Sequence, residues 1–389
     1  MNASKPVKNG FLIAAAALAA LVIMAWIVSL RIGDVQMPMP AAANINAAFG
    51  TPSDLSKIAL GAAGEGAIAP LPVLATSMPQ FTDIDGWLNS PPLTPDDLKG
   101  KVVLVDFWTY SCINCIRTLP YVTSWYDKYK DKGLVIVGVH TPEFAFEKIE
   151  ANVRAAMAQH AITYPVVLDN GYGTWNAYGN QYWPAEYLFD AQGRLRHTHF
   201  GEGEYDETER DIQLLLDEAG ASADVPVTDL RSTTDFGKIG SPETYIGYGR
   251  AEAFASPEPL VQDGPQTYSA AAAPKRNAFY LVGTWTVEAE RAMLDTAPGE
   301  IVFRFDASNA NLVMGAPDGG VKAEVTLDGA PVPPAWRGAD LEESGGSTVV
   351  EVRGQRLYDL IDTKGAYGEH LLRIKFLAPG IETYAFTFG

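Results

Sequence analysis

The longest apolar stretch stands at the front of the chain. From Phe11 to Leu30 it reads FLIAAAALAALVIMAWIVSL, 20 residues without a charge, and about 20 such residues carry a helix across a bilayer. The pattern predicts a single N-terminal transmembrane helix within an anchor covering residues 1–32. Lys5 and Lys8 precede it and only Arg31 follows closely, so the positive-inside bias leaves the N-terminus in the cytoplasm. The expectation is a single-pass protein of the inner (cytoplasmic) membrane with its bulk in the periplasm. A cleaved signal peptide is the alternative, but its apolar region runs to about 7–15 residues. The small-residue cluster Ala41-Ala42-Ala43 stands well past the end of the present run.

Residues 33–78, rich in Ala, Pro and Gly, read as a tether. Strand-like and helix-like periods then alternate. Val102–Phe107, Leu134–Val139, Tyr164–Leu168, Glu186–Phe189 and Arg194–His199 have the apolar, β-branched texture of strands, while Ile116–Lys130, Glu147–His160 and Glu207–Ala219 repeat at helical spacing. Interleaving of this kind predicts an α/β layer fold over residues 79–224. Residues 225–276 read as an irregular connecting segment. From 277 to 389 about seven strand-like runs recur without helices, separated by turn signals such as Asp328-Gly329, which predicts an all-β sandwich.

Charge removes some functions from consideration. With 47 acidic against 29 basic residues the net charge is −18, and such a surface repels phosphate backbones, so no nucleic-acid partner is expected.

The two cysteines, Cys112 and Cys115, are the whole complement, and they frame Ile113-Asn114 where a strand passes into a helix. A helix N-terminus presents free N–H groups and partial positive charge, which stabilise a thiolate at Cys112. Cys115, about one turn on, can attack a mixed disulfide formed there. A zinc site needs about four ligands, and the five histidines are scattered with no second cysteine pair. Haem attachment needs a histidine where Ile116 stands. A static disulfide closing so short a loop is a poor staple. Asp106, six residues before Cys112 at the end of an apolar strand, should have its pKa raised by burial and act as general base for Cys115. A strand-end Asp facing solvent is the bland alternative.

The run Val105-Asp106-Phe107-Trp108-Thr109-Tyr110-Ser111-Cys112-Ile113-Asn114-Cys115, with Pro120 behind it, resembles the active-site segment of the thioredoxin superfamily. The resemblance implies a thioredoxin-like fold, a redox-active disulfide between Cys112 and Cys115, no cofactor, and a cis-proline facing the disulfide with its preceding residue docking substrate. Pro184 and Trp183 fill those positions. The helix inserted between Cys115 and Pro184 is similar to the membrane-anchored TlpA/ResA-like branch. The segments Tyr110–Pro120 and His140-Thr141-Pro142-Glu143-Phe144, together with the C-terminal module, resemble the extracytoplasmic part of DipZ-type proteins, in which the module is a carbohydrate-binding-module-like sandwich. Two departures follow. A single anchor replaces a multi-span electron-transporting domain, so electrons are expected from a separate membrane donor such as a CcdA-like thiol transporter. Thr118 stands where ResA-like members carry a glutamate, leaving Asp106 to tune the cysteines.

The resemblance implies a thiol–disulfide oxidoreductase acting on exported protein thiols and disulfides, with a link to cytochrome c biogenesis. Two alternatives stay open. Thr109-Tyr110-Ser111-Cys112 reproduces half of a peroxidatic loop, but Val105 stands in the place of its proline and no arginine lies within it. In the other, Trp285, Trp336 and Tyr358 of the sandwich stack on a glycan, against which stands the usual burial of strand aromatics. His197 and His199 alternate on one strand and read as surface or strand-pair residues.

Overall fold

The computed structural model describes residues 70–223, 225–230 and 234–389. The apolar run Phe11–Leu30 and most of the tether lie outside the described residues, among which no helix is long and apolar enough to cross a membrane.

The first domain is built on a six-stranded sheet of β1 (Gly86–Leu88), β2 (Val102–Trp108), β3 (Leu134–His140), β4 (Val166–Leu168), β5 (Ala185–Phe189) and β6 (Leu195–Phe200), in the spatial order β1-β4-β3-β2-β5-β6. β2, β3 and β4 run parallel, while β5 and β6 add antiparallel on the other side. Every residue of β2 is buried, as a central strand covered on both faces requires, and this explains its nearly unbroken apolar sequence. Helices α1 (Ile113–Tyr129), α2 (Glu150–Gln159), α3 (Gly173–Ala177) and α4 (Tyr205–Glu218) complete the domain. α1 buries Leu119, Val122, Trp125 and Tyr129 at helical spacing, and α4 buries Ile212, Leu215 and Leu216 in the same apolar cluster as Leu104, Trp108 and Leu188. On the opposite face Trp175 and Tyr178 pack edge-on against Phe107, at centroid distances of 5.8 and 5.3 Å.

The single helix expected over Glu147–His160 is instead a 3-10 turn, Ala145–Lys148, followed by α2. The break has a local cause. Ile149 is extended, and Glu147 is turned inward, its carboxylate accepting from the backbone N–H of Phe144 at 3.0 Å. Residues 70–78 also differ from a free tether. Leu74 N–H donates to the Leu195 carbonyl (2.8 Å), Leu195 N–H to that of Ala75 (2.9 Å), and the Arg196 guanidinium to that of Leu71 (2.7 Å), so the exposed edge of β6 holds this segment to the domain.

The second domain is β apart from a 3-10 turn at Pro334–Trp336. Its strands are β7 (Thr244–Tyr245), β8 (Pro265–Tyr268), β9 (Ala278–Val287), β10 (Ala292–Ala307), β11 (Asn309–Gly315), β12 (Val321–Leu327), β13 (Ala330–Pro331), β14 (Leu341–Ser344), β15 (Ser347–Val352), β16 (Arg356–Asp362), β17 (Gly368–Phe376) and β18 (Glu382–Phe388). In place of two separate sandwich sheets they form one connected antiparallel sheet, wrapped around a single apolar core. β10 makes the connection. Ala292–Thr296 pair with β9, whereas Gly299–Ala307 pair with β17. The strands beyond the expected seven are short or, like β16, carry charges that mask their alternation.

The two domains share a seam. Val313, Tyr384 and Ala385 of the second join the core cluster that contains Phe144, Phe146 and both cysteines of the first. The Tyr384 ring lies 4.7 Å from Phe146 and 5.2 Å from Phe144.

Gly138 on β3 is closely packed beneath this end of the sheet. A Cβ there would stand 3.0 Å from both Trp108 Nε1 and Tyr164 Cε2 and 3.3 Å from Val166 Cγ2, and all three neighbours are immobilised by burial. Gly138→Ala is expected to cost about 1–3 kcal/mol through overpacking, read as a lower urea midpoint at unchanged slope; a midpoint equal to the wild type's would contradict this.

Candidate active site around Cys112 and Cys115

β2 ends at Trp108, and the next residues carry the chain over the sheet edge to the N-cap of α1, which is Cys112. Its carbonyl accepts the first helical bond, from Ile116 N–H at 3.0 Å. Both cysteines are free thiols and are unequally covered, Cys112 being 8% exposed and Cys115 1%. Burial pushes the Cys115 thiol well above its ordinary pKa, and the neighbouring Cys112 and the Asp106 carboxyl push in the same direction. Cys115 is therefore a thiol at neutral pH, and its use as a nucleophile requires a base.

Asp106 is 1% exposed, which excludes the solvent-facing alternative. It stands between Gly138 of β3 and Glu186 of β5 in the sheet register. Neither carboxyl oxygen meets a hydrogen-bond donor among the described residues, and desolvation raises its pKa to about 7. Tyr164 packs over the same spot, its phenol raised by burial and further by Asp106, Cys115 and Glu186.

Pro184 follows a cis peptide bond from Trp183 and stands immediately before β5. Because Ala185 pairs with Phe107, Pro184 lies at the end of the sheet from which the cysteine loop departs. The Trp183 indole donates to the Thr141 carbonyl (3.1 Å) and rests against Trp175 at 4.2 Å. Thr118 donates to the Asn114 carbonyl (2.9 Å) and meets the Tyr205 hydroxyl.

Two buried carboxyls escape a reading of the sequence alone. Glu147 accepts from Ser111 Oγ (2.6 Å) and Ser111 N–H (3.2 Å), clamping the residue before Cys112; burial raises its pKa to about 7. Glu186, two residues after Pro184, is raised to about 8 by burial and then by Asp106. Its signal was a single acid inside the buried run Ala-Glu-Tyr-Leu-Phe. His140 is held neutral by burial, its pKa lowered to about 3. His197 and His199 share a face as expected but are not free surface residues, since Asp211 and Glu204 meet their Nδ1 atoms at 2.8 and 3.4 Å. In the second domain Trp285 and Tyr358 are core residues at 0% and 1% exposure and offer no ring face to a sugar, while Trp336 lies edge-on to His370. Among the described residues no cluster of metal-ligating side chains occurs.

A cleft of about 310 Å³ opens beside the cysteine loop, with Ile113, Asn114 and Arg117 on one wall and Ile239, Thr387 and Phe388 of the second domain on the other. The larger groove, about 750 Å³ along Pro120, Ser124 and His160, does not touch the cysteines.

An outer thiol on a helix N-cap, a protonated thiol one turn below it and a carboxyl beneath that are equipped for thiol–disulfide exchange, and the sheet that carries them is thioredoxin-like. Comparison with known proteins agrees. Residues 74–215 match the Redoxin family and residues 241–389 the family described as the thioredoxin-like C-terminal domain. DipZ of Mycobacterium tuberculosis is 38% identical over 317 residues, covering 80% of this chain and 42% of its own length; the chain thus spans about two fifths of that relative. The thiol-disulfide oxidoreductase YkuV of Bacillus subtilis is 34% identical over 37% of this chain and 97% of its own. A solution structure of an oxidised thioredoxin-like protein matches at 34% identity, covering 37% of this chain and 97% of that one, with a TM-score of 0.35. The chain belongs to the thioredoxin superfamily, in its TlpA/ResA/DipZ-like branch, which includes relatives named thiol–disulfide oxidoreductases.

The raised pKa of Asp106 carries a stability signature. Between about pH 4 and pH 7 the unfolded chain ionises this carboxyl while the fold keeps it protonated, so stability falls as pH rises through that window. Asp106→Asn removes the loss. The variant should match the wild type near pH 4 and exceed it by about 4 kcal/mol at pH 8, measured by urea unfolding; a difference that is the same at both pH values would contradict the assignment.

Proposed function

We propose that this protein reduces or exchanges disulfides of exported proteins at the outer face of the cytoplasmic membrane, cytochrome c maturation included. The observation that carries the reading is the order of the three groups: Cys112 outermost, Cys115 buried, and Asp106 buried without a donor. Cys112 attacks the substrate disulfide and forms a mixed disulfide. Asp106 takes the Cys115 proton, and Cys115 then displaces the substrate thiolate from Cys112. Trp183 and Pro184 present backbone to the substrate beside this step. The Phe11–Leu30 run anchors the chain, and a thiol-transporting membrane protein of the CcdA type resets the dithiol. The match to DipZ of M. tuberculosis supports a place in extracytoplasmic thiol chemistry, and the carbohydrate-binding-module-like character of the second domain belongs to the same reading.

Cys112 should be alkylated by iodoacetamide before Cys115 at pH 7. Cys115→Ser should accumulate mixed disulfides with exported proteins and Cys112→Ser should not; equal trapping by the two variants would reverse or abolish the assigned order. The anchor predicts that the chain stays in the membrane fraction after carbonate washing with the second domain digestible from outside spheroplasts. Protection of that domain would overturn the topology.

A further inference from the structure

Asp106 is 1% exposed, so before it can accept the Cys115 proton its own proton has to reach solvent through neighbouring groups. We propose that Glu186 and His199 exchange the Asp106 proton with solvent, as a relay laid across the three adjacent strands β2, β5 and β6. The proposal rests on the dithiol reading above and extends it to the fate of the proton.

The register sets out the row. Asp106 pairs directly with Glu186, and Glu186 directly with His199. Direct antiparallel partners project from the same face with Cβ atoms about 4.5–5.5 Å apart, so the three side chains stand side by side on the face covered by α1 and α4. His199 Nε2 and the carboxyl oxygens of Asp106 and Glu186 are all buried with no hydrogen-bond partner among the described residues, so the row is made by register and not by hydrogen bonds. Its Nδ1 lies 3.4 Å from the Glu204 carboxylate, whose side chain is 66% exposed. The row thus begins at a sealed thiol and ends in water.

Fold stability does not account for this arrangement. Two neighbouring carboxyls in an apolar cluster raise each other's cost of ionisation, and neither is matched by a cation among the described residues: Asp106 faces Cys115 of α1 and Tyr164, while Glu186 faces Asp106, Tyr164 and the Thr208 and Tyr205 hydroxyls of α4. His199 faces Glu186 and Glu204. His197, the next residue on this face of β6, is engaged by Asp211 and stands outside the row.

The step balances without an outside reagent. The Cys115 thiol loses its proton to Asp106 and its sulfur pair forms the bond to Cys112. The bond from Cys112 to substrate breaks, and the substrate leaves as a thiolate that water protonates. The carboxyl pair passes one proton to His199 Nε2, and the imidazole releases one from Nδ1 to Glu204 and water.

The test uses the full-length reduced protein and 5,5′-dithiobis(2-nitrobenzoate) in a stopped-flow instrument. The first thiol anion released reports attack by Cys112 and the second reports resolution by Cys115. Glu186→Gln and His199→Gln are compared with Asp106→Asn from pH 6 to pH 9, with unfolding curves confirming that each variant is folded. In both relay variants the first phase should stay within about twofold of wild type. The second should slow by about tenfold near pH 6.5, with the deficit closing by pH 9 and imidazole restoring part of the rate to His199→Gln. If Asp106→Asn slows the second phase while both relay variants follow the wild-type profile, the relay falls and the base role of Asp106 stands. If none of the three slows it, both fall. A slowing that is equal at every pH marks a packing effect and also overturns the relay.

Discussion

A carboxyl buried without a hydrogen-bond donor loses its hydration and gains nothing in exchange, and β2 holds Asp106 in that condition with apolar neighbours before and after it. The cost falls almost wholly on the ionised form, so the group stays near the point where it can take or give a proton at neutral pH. The same desolvation acts on Cys115 with the same sign. A carboxyl raised to about 7 is a stronger base than an ordinary aspartate, so it takes the Cys115 proton at less cost than an unshifted carboxylate would. This is what a resolving step needs, and it depends on the sheet being sealed on both faces by α1, α4 and the Trp175–Tyr178 layer.

The segment that follows β3 ties this chemistry to the second domain. Glu147 holds Ser111 from below, and four residues earlier Glu143 is held by the Tyr245 hydroxyl and by Arg250 at 2.7 Å. Phe144 and Phe146, between them, lie under Tyr384. The residue before the outer cysteine is therefore braced, through one short loop, by a domain whose own core is separate. That domain also supplies one wall of the cleft beside Ile113 and Asn114.

The parts of the molecule that were legible in the sequence are those whose meaning is local. The cysteine pair at a strand-to-helix junction, the acid in an apolar strand and the alternation of elements in the first domain all declare themselves within a dozen residues. Glu186 and Glu147 do not, because their significance lies in what stands across the sheet or under the loop, and only register and burial reveal it. Trp285 and Tyr358 misled for the opposite reason: an aromatic in a strand looks the same in sequence whether its face is open or packed. The twelve-stranded connected sheet was hidden by β10, which reads as one strand and serves two sets of partners.

The aromatic seam also governs how the chain comes to be folded. Phe146 and Tyr384 are in contact across 238 residues of sequence, so a first domain that emerges from the ribosome has the residues of its sheet long before its cover exists. Until β18 is made, Phe144 and Phe146 present an uncovered greasy face beside a reactive thiol, a combination that invites association and stray cross-linking. Maturation thus has a vulnerable interval whose length is set by the synthesis of the second domain, and a chaperone that shields the nascent first domain during that interval would protect the cysteines as well as the fold.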